Sequence, residues 1–359
     1  MIAADRAVQR PSDARLLVVN AHGQISDVPR SRFVELLRPT DLVIANDAAT
    51  LPASLHGVHL RSGEEIEVRL AGQPSLALDM WRPAFRAVVF GAGDFHTRTE
   101  DRPLPPSLAP GDRLCLGGAL SATVEGLFDH PRLILLRFAG STDTVWAGLA
   151  RHGRPIQYAH VPAPLALWDV WTPIAGRPVA FEAPSATFVL DWKSIRGMRQ
   201  RRIAFATVTL AAGLSSTGDA ELDRRLPFDE AYRIPRATAS AIRRTKAQGG
   251  RIVAIGTTVV RALEHAATAD GVVQAGDGVA DQRVGSGSRL RIVDAILSGT
   301  HEPGTSHYLL LRAFLDDKTL AGADAILETF GYRTHEFGDS VFIEKGDRSK
   351  AVAQPFRAA

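Results

Sequence analysis

The clearest alternation of apolar and polar positions lies in Arg251–Ala267, RIVAIGTTVVRALEHAA. Ile252, Val253, Ala254 and Ile255 form a continuous apolar run, largely β-branched and bounded by glycine, which predicts a strand buried on both faces. Gly256 breaks the run. Val259, Val260, Leu263 and Ala266 then recur at helical spacing, so a helix follows at once, with Thr257 or Thr258 as the expected N-cap. In open α/β sheets ligands gather at the carboxyl ends of strands, and a helix start offers unpaired N–H groups to a phosphate or carboxylate. Thr257, Thr258 and Arg261 are the side chains expected to face such a ligand. An ordinary βα unit without a ligand has the same spacing, since hydroxyls are common caps. Upstream, Ile234-Pro235 leads into a predicted helix over Ala237–Gln248, with Arg243, Arg244 and Lys246 near its end and Gly249-Gly250 as terminator.

The same reading extends along the chain. Arg15–Asn20 is a predicted strand with a turn at His22-Gly23, Ser31–Leu37 a predicted helix stopped by Pro39, and Leu42–Ala45 a buried strand ending in Asn46-Asp47. From His56 to about Ala150 the texture changes. Short runs at Glu65–Leu70, Ala87–Phe90, Arg113–Leu116 and Leu133–Phe138 alternate with Gly, Pro and Asp clusters, which predicts an all-β insert. Arg98–Pro106 is expected to be a mobile loop, Pro110-Gly111-Asp112 a turn, and the Gly- and Asp-rich stretch Thr268–Gly287 flexible. Helices are expected at Tyr308–Leu315 and Ala325–Gly331, and a closing strand at Gly338–Ile343.

Composition narrows the classes. With 359 residues, 45% of them hydrophobic, the chain can bury a sizeable core in two domains. A formal charge of +3 excludes a histone-like polycation while allowing nucleic acid as a partner. The single cysteine, Cys115, forms no internal disulfide, suits a reducing cytosol and reads as buried packing. No apolar run approaches the ~20 residues that span a bilayer, and the first residues carry early charge and no separate apolar region, so no secretory signal is expected. A soluble cytoplasmic protein without a membrane segment follows. The stretch Lys193–Arg202, KSIRGMRQRR, is either a solvated helix face or a surface for an RNA backbone, which Arg224, Arg225, Arg233, Arg236, Arg243 and Arg244 could extend.

The run GGRIVAIGTTVVRALE resembles the most recognisable signature of the S-adenosylmethionine:tRNA ribosyltransferase-isomerase family of queuosine biosynthesis. Other segments follow the family in order: Asp41, Asn46, Asp47, Leu51, Pro52, Ala53 and Leu55 near the start; Val161-Pro162-Ala163-Pro164 after His160; Ala183-Pro184; Thr209, Leu210 and Gly213; Glu230 before Pro235; Asp294, His301, Pro303, Thr305 and Ser306; and Phe337-Gly338-Asp339. Departures are equally specific. Ala49 and Ser54 stand where the family has arginine, Val189 and Ala211 where it has histidine, and Thr187 and Ser215 where it has glycine. Valine and alanine pack, whereas histidine donates, accepts and titrates.

The resemblance implies an α/β main domain built from both chain ends, residues 1–55 and 151–359, interrupted by a β-barrel at 56–150. It implies transfer and isomerisation of the ribosyl moiety of S-adenosylmethionine onto 7-aminomethyl-7-deazaguanine in tRNA, giving epoxyqueuosine. S-adenosylmethionine is then a co-substrate, tRNA a partner, no metal is required, and a monomer is expected. Glu230, His301 and Asp47 are the candidate catalytic residues; Asn46, Thr257, Thr258, Arg261, Thr305 and Ser306 are the candidate substrate-binding residues. The departures support two alternatives: a diverged paralogue that binds S-adenosylmethionine or a nucleoside in an accessory or regulatory role without tRNA ribosyl transfer, or an enzyme acting on a small nucleoside.

Overall fold

The structure, a computed structural model, describes residues 1–76, 84–118, 120–346 and 357–358. Among the described residues, its main sheet has ten strands. Four central ones, Ala204–Leu210, Leu42–Asn46, Ile252–Ile255 and Ala295–Gly299, lie side by side and parallel in that order. Glu230–Ile234 and then Gly276–Ala280 extend the sheet antiparallel on one side. On the other, Ser340–Glu344 runs antiparallel to Ala295–Gly299 and is followed by Arg15–Val19, Ile25–Pro29 and the short 357–358 strand.

The continuous apolar runs explain this burial. Leu42 and Ile44, like Ile252 and Ala254, face one core with the helices Arg236–Ala247 and Thr257–His265, while Val43, Ala45, Val253 and Ile255 face another with Phe33, Met198 and Ile203. A strand covered on both faces needs apolar side chains at every position. Each such Val, Leu or Ile contributes roughly 1.5–3 kcal/mol by leaving water. The insert closes as a six-stranded antiparallel barrel, in the order Leu120–Leu127, Leu133–Phe138, Ala84–Phe90, Glu65–Gly72, Ser54–His59 and Arg113–Leu116. An α/β main domain with an inserted all-β barrel is therefore the fold.

Four local expectations change. Arg30–Leu36 is a 3-10 helix in place of the predicted α-helix at Ser31–Leu37: it has no side-chain cap, and Phe33 is drawn down edge-on to Phe342, with ring centroids 5.8 Å apart. Arg98–Pro106 is no free loop. Thr99–Asp101 makes a 3-10 turn, and the Arg102 side chain is buried, donating to the Gly91 and Gly93 carbonyls at 3.0 and 2.8 Å and pairing with Glu67. Within the stretch read as β, Thr142–His152 is an α-helix capped by Ser141. Its helical signal is weakened by Gly148, which is small because a Cβ there would lie 2.3 Å from Leu120. The stretch Thr268–Gly287, expected to be flexible, contains the edge strand Gly276–Ala280, where Gly278 sits against the Tyr232 ring with no room for a Cβ.

Candidate active site

The four parallel strands end on one edge of the sheet, and the antiparallel strands Glu230–Ile234 and Ser340–Glu344 begin there, as the pairings Leu210 with Tyr232 and Gly299 with Ser340 require. The loops at five of these strand ends, all but that of Leu42–Asn46, line a cleft with two lobes. The smaller, of about 250 Å³, is lined by Glu182, Glu230, Glu302, Glu336 and three histidines, His301, His307 and His335. The larger, of about 610 Å³, is lined by Arg224, Arg261, Arg283 and Arg312 together with the Gly285–Ser288 loop. Pro227, Glu230, Thr257, Thr258 and His307 line both.

At the centre the chain turns from strand to helix at Gly256, whose φ of 94° is the left-handed conformation that glycine takes without steric cost. Gly256 is itself the N-cap, correcting the expectation of a threonine cap: Thr257 is the first helical residue and no hydroxyl caps the helix. Both threonine side chains are thereby left to the cleft. One turn on, Arg261 is buried and forms a close ion pair with Glu230, which also accepts the Gly213 N–H at 2.9 Å. Arg261 donates further to the Ala280 carbonyl at 2.8 Å. Glu230, the candidate acidic residue ahead of Pro235, is 5% exposed. Burial pushes its carboxyl up against the pull of Arg261.

His301 follows the strand Ala295–Gly299. Its Nε2 lies 2.9 Å from Ser298 Oγ and its ring stacks on His307 at 4.8 Å. Burial, then the charges of His307 and His335, hold the His301 imidazole well below its ordinary range; burial and then Arg261 push His307 down to about 4. Both rings are therefore neutral near pH 7 and able to accept a hydrogen bond. Thr305 accepts the Tyr308 N–H at 3.3 Å as the cap of helix Ser306–Leu311 while lining the smaller lobe, and Ser306 lines the larger.

Asn46 and Asp47 are not brought into this group. Asn46 is fully buried, donating to the Leu210 carbonyl at 2.9 Å and accepting the Leu210 and Ala48 N–H groups at 3.0 Å, so its amide ties two strand ends together. Asp47 accepts the Thr209 hydroxyl at 2.6 Å, and neither residue lines the cleft. Val189 and Ala211 are buried among apolar neighbours.

Sequence reasoning missed the carboxylate pair of the smaller lobe. Glu182 accepts hydrogen bonds from the Tyr158 hydroxyl and, at 3.0 Å, from the Ser215 N–H. Burial first, and Glu336 second, push its carboxyl up to about 7. Glu336 goes the other way. Burial opposes its ionisation, but His160 Nε2 at 3.0 Å and the neighbouring His335 hold it below the usual carboxylate range. His160 and His335 stack at 4.2 Å, and His335 adopts a left-handed φ of 69°, uncommon outside glycine and frequent at functional sites. The available signals were the place of Glu182 beside Ala183-Pro184 and that of His307 beside Thr305-Ser306.

The fold and site define a two-domain α/β protein whose ligand cleft opens at the carboxyl ends of its parallel strands. The chain belongs to the queuosine biosynthesis protein family, whose sequence model matches residues 1–343. It is 32% identical to the S-adenosylmethionine:tRNA ribosyltransferase-isomerase of Citrifermentans bemidjiense, with 96% of each chain covered. It is also 32% identical to the protein of the same name from Gloeobacter violaceus, covering 94% of this chain and 92% of that one. Among solved structures, the S-adenosylmethionine tRNA ribosyltransferase of Thermotoga maritima is similar in fold, with a TM-score of 0.50 and 22% identity over 95% of this chain and 96% of that one.

Proposed function

We propose that this protein transfers and isomerises the ribosyl moiety of S-adenosylmethionine onto 7-aminomethyl-7-deazaguanine in tRNA, giving epoxyqueuosine and releasing adenine and methionine. The observation that carries this reading, beside family membership, is the pair of lobes that share a wall at Glu230, Thr257, Thr258 and His307. A transfer between two substrates needs two adjoining sites that meet where the bonds change. The carboxylates of Glu182 and Glu336 suit a cationic sulfonium in the smaller lobe, and the arginines of the larger suit the phosphates of an RNA. The helix start at Thr257 presents N–H groups for the methionine carboxylate or a ribose oxygen.

Moving ribose protons needs an acceptor poised near neutral pH, a role for Glu182 at about 7, while His301 and His307, neutral and held well below that range, accept hydrogen bonds from the ribose hydroxyls. Arg261 holds Glu230 in the shared wall, Thr305 caps the helix that carries His307, and Ser306 offers its hydroxyl to the larger lobe. Asn46 and Asp47 are left out of this assignment because they tie the sheet together away from the cleft. Such an enzyme works in the cytoplasm, alongside tRNA. Among the described residues no helix is long and apolar enough to cross a membrane.

The test is calorimetric titration with S-adenosylmethionine, followed on the same sample by an assay for adenine release with tRNA carrying the 7-aminomethyl-7-deazaguanine base. Binding with tRNA-dependent release is expected, and Glu182→Gln should cut the rate by about a hundred-fold or more. Binding without release would replace this reading by that of a paralogue that holds the nucleoside without transferring it. Absence of binding would overturn it.

A further inference from the structure

Three of the chain's five tryptophans line one open groove of about 560 Å³ on the main domain. Trp168 and Trp192 are 77% and 73% exposed; Trp171, 43% exposed, is oriented by its indole N–H donating to the Thr50 carbonyl at 3.0 Å. Large aromatic faces gathered in one exposed groove mark a binding surface.

Charge decides what it binds. The two carboxylates in the groove are engaged by backbone: Asp191 accepts the Ser194 N–H at 2.5 Å and Asp169 the Ala166 N–H at 2.8 Å. Among the described residues the one cation in the groove, Arg10, donates to the Phe188 and Leu190 carbonyls, both at 3.3 Å, and the exposed cations lie just beyond it. The helix Trp192–Gln200 leads away from the groove with Lys193, Arg196 and Arg199 exposed, followed by exposed Arg202. Flat apolar faces beside a row of cations match unpaired nucleotides, whose bases stack and whose phosphates pair with Lys and Arg. A protein partner would use the tryptophans but would not need the row of cations.

The groove is tied to the cleft by a short stretch of chain. Ser185 and Ala186 line the smaller lobe, and Trp192 lies only six positions after Ala186, at most about 20 Å of extended chain. We propose that this groove stacks unpaired nucleotides flanking the tRNA base that enters the cleft, with Trp168 and Trp192 supplying the stacking faces and the Trp192–Gln200 helix holding the adjoining phosphates. The inference rests on the tRNA reading above and adds to it the surface that recognises the RNA.

The test is a binding titration with a tRNA transcript, read by quenching of tryptophan fluorescence and by filter binding across a salt series. Trp168→Ala and Trp192→Ala alter exposed side chains that the fold does not need, and each should weaken tRNA binding about ten-fold. The loss should appear as a raised KM for tRNA, with S-adenosylmethionine affinity retained. Arg196→Gln should lower the slope of log affinity against log salt by about one. Wild-type affinity in the Trp168→Ala/Trp192→Ala double variant would overturn the groove assignment while leaving the proposed reaction standing, and would return the surface to a protein partner. A wild-type protein that binds S-adenosylmethionine but no tRNA would overturn both.

Discussion

Among the described residues of the barrel, one buried carboxylate is surrounded by guanidinium groups; in the cleft, the buried Glu182 and Glu230 and the half-buried Glu336 have one buried guanidinium among them. Glu67 accepts from Arg69 at 2.7 Å and from Ser54 at 2.7 Å and pairs closely with Arg102, while Arg69, Arg102 and Arg132 all lie over the Phe90 ring at 4.8, 5.4 and 5.0 Å. Burial alone would raise the Glu67 carboxyl, but the two arginines hold it down at about 2. That cluster is permanently ionised and acts as a fastener. In the cleft the buried guanidinium of Arg261 is taken by Glu230, His301 and His307 are neutral, and Glu182 rises to about 7. The contrast teaches that burial by itself does not mark a functional charge. A cluster in which opposite charges balance supports the fold, whereas one with unbalanced like charges can gain and lose protons in the working pH range.

The largest expected effect comes from breaking the balanced cluster. Glu67→Gln leaves Arg69 and Arg102 buried without their counter-charge and should cost about 3–5 kcal/mol of stability, measured by urea denaturation. Its pH signature has a definite sign. A carboxyl lowered in the folded state contributes stability that is full above its unfolded value of 4.5 and is lost as pH falls toward about 2. The cleft should show the opposite slope. Because Glu182 is raised in the folded state to about 7, its contribution is favourable at low pH and is lost as pH rises from 4.5 through 7, on the order of 3 kcal/mol in all. Glu182→Gln should flatten that slope in unfolding measurements and remove an inflection near pH 7 from the rate profile. An unchanged slope would show that Glu182 does not titrate in this window. A smaller effect is expected at the edge of the cleft, where Thr305→Ala removes the cap of the helix that carries His307, at about 1 kcal/mol by thermal denaturation.

Legibility in the sequence followed locality. The strand Ile252–Ile255 and the helix beginning at Thr257 were readable because every residue that makes them is contiguous, and the same holds for Leu42–Asn46 and the barrel strands. Even there the cap was misplaced, because a glycine with positive φ can start a helix without a side-chain oxygen. The helix Thr142–His152 and the strand Gly276–Ala280 were hidden by Gly148 and Gly278, each small in order to fit a neighbour distant in sequence. The candidate site was legible in part. Thr257, Thr258, Arg261, Glu230, His301, Thr305 and Ser306 all reach the cleft. Asn46 and Asp47 do not, since a strand end can serve the sheet as readily as a ligand.

The sequence by itself determined the fold class, the strand–turn–helix joint at Gly256 and the family resemblance, because these rest on periodicity and on motifs written in consecutive residues. Only the tertiary structure decided which charges are neighbours. His160 and Glu336 stand 176 positions apart and meet at 3.0 Å, Glu182 and Glu336 line the same lobe, and Trp168, Trp171 and Trp192 come into one groove. The physical reason is that ionisation and recognition depend on burial and on charges a few ångströms away through space, and the chain crosses the sheet several times before those distances are set.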